Sequence, residues 1–234
     1  GGGGARGRVR LRFPAGGDPH RKAWLYHAGW RLFRGLFATL FRLREAGSEH
    51  VPAEGPFILA SNHASFMDPP LVGSCCSRPI SYLARETLFT NPLFGRVLRG
   101  VGCVAVDRDG ASGKGLKTIL GRILQGDGII LFPEGTRSPD GALQAGRAGV
   151  GLVVLKSDAP VVPVRVFGTF EAYGRHRRFP SPRPVAVRFG APLRFEAERA
   201  EARSPGVNRE RVKQLYQKVS DDIMAAVRML ERPD

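Results

Sequence analysis

Residues 56–76 read PFILASNHASFMDPPLVGSCC, and the fold follows from how this stretch is parsed. Pro56 to Ala60 is a short apolar run behind a Gly-Pro break, which predicts a buried strand. It ends in the polar group Ser61, Asn62, His63. Asp68 and Pro69 then open a second apolar stretch, and a proline in the first turn marks a helix start, so a helix is expected over 68–76. Strand, turn and helix in that order form the repeating unit of a parallel sheet. The unit recurs downstream: predicted strands at 80–84, 102–106 and 128–132 are each followed by a predicted helix, at 91–98, 113–125 and 147–156. Two further strands are expected at 161–167 and 185–189, then a final helix near 207–230 with Val212, Leu215, Val219, Ile223, Val227 and Leu230 on one face. The fold class is α/β: one domain, a mostly parallel mixed sheet with helices on both faces. Pro163 cannot donate to a strand ladder, so its run is expected at an edge or a bulge.

Upstream the pattern changes. From Lys22 to Arg44 the apolar residues Trp24, Leu25, Leu32, Phe33, Leu36, Phe37, Leu40 and Phe41 recur at three-to-four spacing, with Arg31, Arg34, Arg42 and Arg44 interleaved. This is a basic amphipathic helix, or two short ones hinged at Gly29 or Gly35. Residues 1–20, rich in Gly and Arg, read as a disordered basic tail. The chain thus divides into a tail at 1–20, an amphipathic segment at 21–48, and an α/β domain at 49–234.

The chain has 234 residues, 42% of them hydrophobic, enough for one sizeable core. A net charge of +15 makes the surface seek anions: nucleic acid, phosphorylated metabolites or an anionic membrane face. Three cysteines, two adjacent at Cys75 and Cys76, exclude a disulfide framework and show no metal-ligand spacing, which fits a reducing compartment. No window approaches the roughly 18 apolar residues of a membrane span, and the first residues lack the apolar core of a signal peptide. A protein of this kind that meets a membrane is expected to lie on its cytoplasmic face.

Several residues can carry chemistry. Histidine, with an ordinary pKa near 6.5, accepts a proton from a hydroxyl at neutral pH, and a carboxylate on its other nitrogen fixes the tautomer. Asp68 can supply that carboxylate only if His63 lies in the turn before the helix, because residues five apart within a helix diverge. The pair reads equally as a bonded turn residue and a helix cap. No Gly-x-Ser-x-Gly elbow surrounds Ser65, which disfavours a covalent nucleophile. The strand at 128–132 runs into Pro133, Glu134, Gly135, Thr136, Arg137, Ser138, a turn displaying a carboxylate, a hydroxyl and a guanidinium suited to a phosphorylated polyol. A solvated turn closed by a Glu134–Arg137 pair would look the same. Arg108, followed by Lys114 and Lys117, could add a second phosphate contact or be an ordinary charged loop. The run Gly174, Arg175, His176, Arg177, Arg178 before Phe179 would suit a phosphate backbone, but no nucleic-acid motif accompanies it.

Together these blocks resemble the lysophosphatidate acyltransferase family, the 1-acylglycerol-3-phosphate O-acyltransferases. Asn62 to Asp68 matches its H-x4-D motif; Gly102 to Arg108 resembles its second block, Phe132 to Ser138 its third and Val162-Pro163-Val164 its fourth, over roughly residues 55–195. Arg165 departs from the fourth block, where an apolar residue is expected. The resemblance implies catalytic roles for His63 and Asp68 and substrate-binding roles for Arg108, Glu134, Gly135, Thr136 and Arg137. It further implies direct acyl transfer from acyl-CoA or acyl-carrier protein to a lysophospholipid acceptor at an anionic membrane surface. No bound cofactor, metal or nucleic-acid partner is expected. Glycerol 3-phosphate, another lysophospholipid or a lyso-ornithine lipid are alternative acceptors.

Overall fold

The structure, a computed structural model, describes residues 23–106 and 114–234. The tail at 1–20 and Arg108 lie outside the described residues, as do the side chains of Trp24 and Leu25. In chain order the elements are α1 (Ala23–Leu40), β1 (Arg44–Ala46), β2 (Phe57–Ser61), α2 (Asp68–Cys75), β3 (Ile80–Arg85), α3 (Pro92–Gly100), β4 (Cys103–Val106), α4 (Lys114–Leu124), β5 (Gly128–Leu131), α5 (Ala148–Lys156), β6 (Val161–Phe167), α6 (Thr169–Tyr173), β7 (Ala186–Phe189), α7 (Glu196–Arg203) and α8 (Arg209–Met229).

The seven strands form one mixed sheet in the order β1-β7-β6-β2-β5-β3-β4. Five run parallel; β7 is antiparallel to β6, and β1 follows β7. Successive residues send side chains to opposite faces. Phe57, Leu59, Ile130, Val162 and Val164 therefore pack with Phe37 of α1, Phe41 just beyond it, and Leu71 and Val72 of α2. Ile58, Ala60, Ile129 and Val161 meet Val153 and Val154 of α5 and Leu215, Val219 and Ile223 of α8 on the other side. Both faces are dry, as a mostly parallel sheet requires.

Three expectations need correction. Pro163 is not at an edge: β6 lies between β2 and β7, with Pro163 in register with Ala60. Ile58 N–H donates to Pro160, whereas Pro163 C=O accepts from Gly190 N–H at 2.8 Å, so the proline's backbone faces away from β2 and its missing N–H interrupts nothing in that ladder. Arg44 belongs to strand β1, not to the first helix. That helix is continuous through Gly29 and Gly35, and its apolar residues form two stripes. Tyr26, Phe37 and Phe41 are buried against the body, while Leu32 (68% exposed), Leu36 and Leu40 face outward. Arg34 is committed inward, forked onto both oxygens of Glu45 at 2.7 and 2.6 Å and bonded to Ser74 C=O at 3.0 Å, which staples α1 to β1 and α2. Arg165 also has a structural role: its Nη1 donates to the carbonyls of Arg228 and Leu230 at 2.7 and 2.9 Å, placing a cation where the α8 dipole is negative.

Candidate active site

β2 and β5 are adjacent and parallel, so the turns leaving their carboxyl ends lie side by side. That is where open α/β sheets collect ligand sites. His63 occupies the turn before α2, whose first residue is Asp68. Its Nδ1–H donates to Asp68 Oδ2 at 2.8 Å. The same oxygen accepts from the backbone N–H groups of Ala64 and Ser65, both at 2.7 Å. Three donors converging on one fully buried carboxylate oxygen fix the turn and, with it, the imidazole. The ring stacks on Phe132 at 4.0 Å between centroids, which leaves Nε2 as the nitrogen available to a substrate.

The β5 turn grips the backbone of His63 from both sides. His63 N–H donates to Glu134 Oε1 at 3.2 Å, and Ser138 N–H donates to His63 C=O at 2.7 Å. Gly135 makes this turn possible: its φ of +71° is left-handed, and a Cβ there would lie 2.9 Å from Arg147 Cδ. Asn62 adds a side-chain rung between strands, its amide donating to Val166 C=O and accepting from Val166 N–H at 3.3 and 2.8 Å.

Glu134 is almost completely buried and does not line the cavity described below. Burial raises its pKa from 4.5 to about 7; the Asp68 charge adds to the rise and the His63 N–H bond opposes it. Between those two values the folded protein holds a proton that the unfolded chain has released, so stability falls as pH rises through the window. Glu134→Gln keeps an acceptor for His63 N–H and removes the titration. Urea denaturation at several pH values from 4.5 to 7.5 should show the wild type losing stability relative to the variant; parallel profiles would contradict the assignment.

Neither Ser65 nor the adjacent Cys75 and Cys76 offer a nucleophile. Ser65 Oγ donates to Tyr173 C=O at 2.7 Å and accepts from Met67 N–H. Cys75 and Cys76 are fully buried, which pushes the Cys76 thiol up to about 12.

His63 opens on a cavity of about 800 Å³. One part is polar, lined by Gly135, Thr136 and Arg137 from the β5 turn. The remainder runs past Tyr82 on β3 to Val101 and Cys103 beside β4, and is walled by Tyr26, Trp30 and Phe33 of α1. Arg137 sits over Phe66, its Cζ 3.4 Å from the ring centroid, a cation–π contact. The predicted Glu134–Arg137 pair is absent from the ion pairs of the described residues. Gly73 also lines the cavity, and a Cβ there would strike the Tyr82 hydroxyl. The wall supplied by α1, and Tyr82 and Arg175, are cavity residues that sequence patterning passed over. The aromatic spacing Tyr26, Trp30, Phe33, Phe37 within α1 was the available signal. Among the described residues no cluster of three or more His, Cys, Asp or Glu could hold a metal.

The profile of the Acyltransferase family matches residues 42–167. The chain is similar to the 1-acyl-sn-glycerol-3-phosphate acyltransferase of Bacillus subtilis, 30% identical over 122 residues that make up 51% of this chain and 60% of that protein. It is also similar to a chloroplastic 1-acyl-sn-glycerol-3-phosphate acyltransferase of Arabidopsis thaliana, 28% identical over 65% of this chain and 43% of that protein. It spans about half the length of the curated relatives it matches. Its fold is that of the crystal structure of the 1-acyl-sn-glycerophosphate acyltransferase PlsC from Thermotoga maritima, with a TM-score of 0.66 and 24% identity over 90% of this chain and 81% of that one.

Proposed function

We propose, from the premise that this chain belongs to the acyltransferase family, that it transfers a fatty acyl group to the sn-2 hydroxyl of 1-acylglycerol 3-phosphate, giving phosphatidic acid. The donor is a thioester, acyl-CoA or acyl-carrier protein. The observation that carries the reading is one cavity joining an Asp68-oriented His63, a guanidinium and a largely apolar wall. His63 Nε2 takes the hydroxyl proton as the oxygen attacks the thioester carbonyl. Collapse of the tetrahedral adduct breaks the carbon–sulfur bond, and the imidazolium returns the proton to the departing thiolate. Asp68 stabilises the imidazolium in between. Arg137, with Gly135 and Thr136, holds the acceptor phosphate, and Arg108 is assigned to the same group. Glu134 acts indirectly, by fixing the backbone of His63. The apolar part of the cavity takes an acyl chain.

Such an acceptor resides in a bilayer, and the outward Leu32, Leu36 and Leu40 of α1, with the exposed Leu93 and Val97 of neighbouring α3, form the face assigned to the cytoplasmic leaflet. No helix among the described residues is long and apolar enough to cross a membrane. Leu32→Glu combined with Leu36→Glu should weaken binding to vesicles containing anionic phospholipid about tenfold or more, since each buried leucine is worth about 1.5–3 kcal/mol. Turnover of a micellar acceptor should change little. Vesicle binding that survives both substitutions would remove this face from the membrane.

The reaction is tested by thiol release from an acyl-CoA with 1-acylglycerol 3-phosphate, glycerol 3-phosphate and a lyso-ornithine lipid as acceptors, and with acyl-carrier protein as the second donor. Release dependent on 1-acylglycerol 3-phosphate supports the assignment. Release with another acceptor alone changes the substrate, and none with any acceptor refutes acyl transfer.

A further inference from the structure

The basic run that follows α6 lies outside the four motif blocks, yet the fold ties it to the active site. α6 ends at Tyr173, whose C=O accepts from Ser65 Oγ at 2.7 Å and whose ring packs on Phe66 at 5.4 Å. Phe66 in turn carries the guanidinium of Arg137. Two residues beyond Tyr173, Arg175 lines the same cavity as His63 and Arg137. Its Nη1 donates to Arg137 C=O at 3.2 Å. Arg175 is exposed, that single hydrogen bond uses one of its five N–H groups, and it forms no ion pair among the described residues.

We propose that Arg175 is a further arm of the phosphate clamp, set beside Arg137 and binding the phosphate monoester of the acceptor. The proposal rests on the acyl-transfer reading above. A phosphate monoester is close to dianionic at neutral pH and presents three terminal oxygens, so it accepts more than one guanidinium fork. Bond connectivity identifies the acceptor as the source of the phosphate. In 1-acylglycerol 3-phosphate only a few bonds separate the phosphate from the hydroxyl that His63 deprotonates, so the group must bind beside His63. The phosphates of coenzyme A or a carrier protein are removed from the thioester by the whole pantetheine arm. Through Ser65 and Phe66, Arg175 is anchored to the turn that holds His63, which fixes phosphate and base relative to each other.

Arg175→Ala should raise KM for 1-acylglycerol 3-phosphate roughly 10- to 100-fold, with kcat and KM for acyl-CoA nearly unchanged. Arg175→Lys, which keeps the charge and loses the fork, should recover part of that loss. A rise in donor KM instead would assign the residue to the carrier's phosphates and overturn the clamp. A fall in kcat with both KM values constant would reduce it to loop support and overturn it as well. A wild type without release with any acceptor refutes the acyl-transfer reading, and the clamp is then judged alone by glycerol 3-phosphate titration followed by melting temperature. Stabilisation of the wild type but not of Arg175→Ala sustains it; no stabilisation of the wild type refutes it.

Discussion

His63→Ala is expected to reduce kcat about 10²–10⁴-fold or more while the protein stays folded. In the proposed reaction the imidazole accepts the hydroxyl proton, since Ser65 is bonded away and Cys75 and Cys76 are sealed in the core. Stability should hardly change. The side chain is 12% exposed and faces the cavity on one side, so truncation removes one stacking contact with Phe132. Asp68 keeps the N–H groups of Ala64 and Ser65, so no buried charge is stranded. Acceptor and donor KM should stay near their wild-type values. Steady-state thiol release with a matched thermal melt checks both halves, and a variant retaining wild-type kcat would end the general-base assignment.

Asp68→Asn should cost kcat about a hundredfold or more, and this variant should also lose stability. An asparagine in the same rotamer places a neutral oxygen where Oδ2 sits, so the turn and the His63 tautomer persist. The neutral oxygen stabilises a forming imidazolium far less than a carboxylate does. The stability loss has a separate origin. Asp68 Oδ1 is buried with no hydrogen-bond partner, and the asparagine NH₂ would occupy that place as an unpaired donor, at about 1–3 kcal/mol. Chemical denaturation beside the kinetics separates the two effects. Lower stability with intact kcat would make Asp68 a structural cap and nothing more.

The sheet was legible because most of its strands are short apolar runs bounded by Gly, Pro and Asn, and the central β2 and β5 are buried on both faces. The polar turns after β2 and β5 stood out against those runs for the same reason. What escaped has physical causes. β1 is three residues, Arg44–Ala46, with no alternation of its own; it is a strand because β7 offers it a partner far away in sequence. α7 reads as charge throughout, and its one buried residue is Arg199, which bonds to the carbonyls of Val154 and Ala159. Pro163 looked like an edge marker because composition does not reveal toward which neighbour a backbone N–H would point. The two stripes of α1 merged into one because hydrophobicity alone cannot separate aromatics that pack inward from leucines that point out. Arg175 looked like surface charge until α6 placed it at the cavity.

The grip of the β5 turn on the backbone of His63 also governs when this chain acquires its chemistry. The hydrogen bond between His63 and Asp68 spans five residues and can form early, but the bond from His63 N–H to Glu134 spans 71. A chain emerging from the ribosome completes β2 well before β5 exists, and closing so long a loop is entropically the slower event. Until then the turn that aims the imidazole lacks its outer support. On the proposed mechanism, competence therefore waits for β5 to close onto β2, and a chain without that closure is expected to be inactive rather than an unguarded thioesterase.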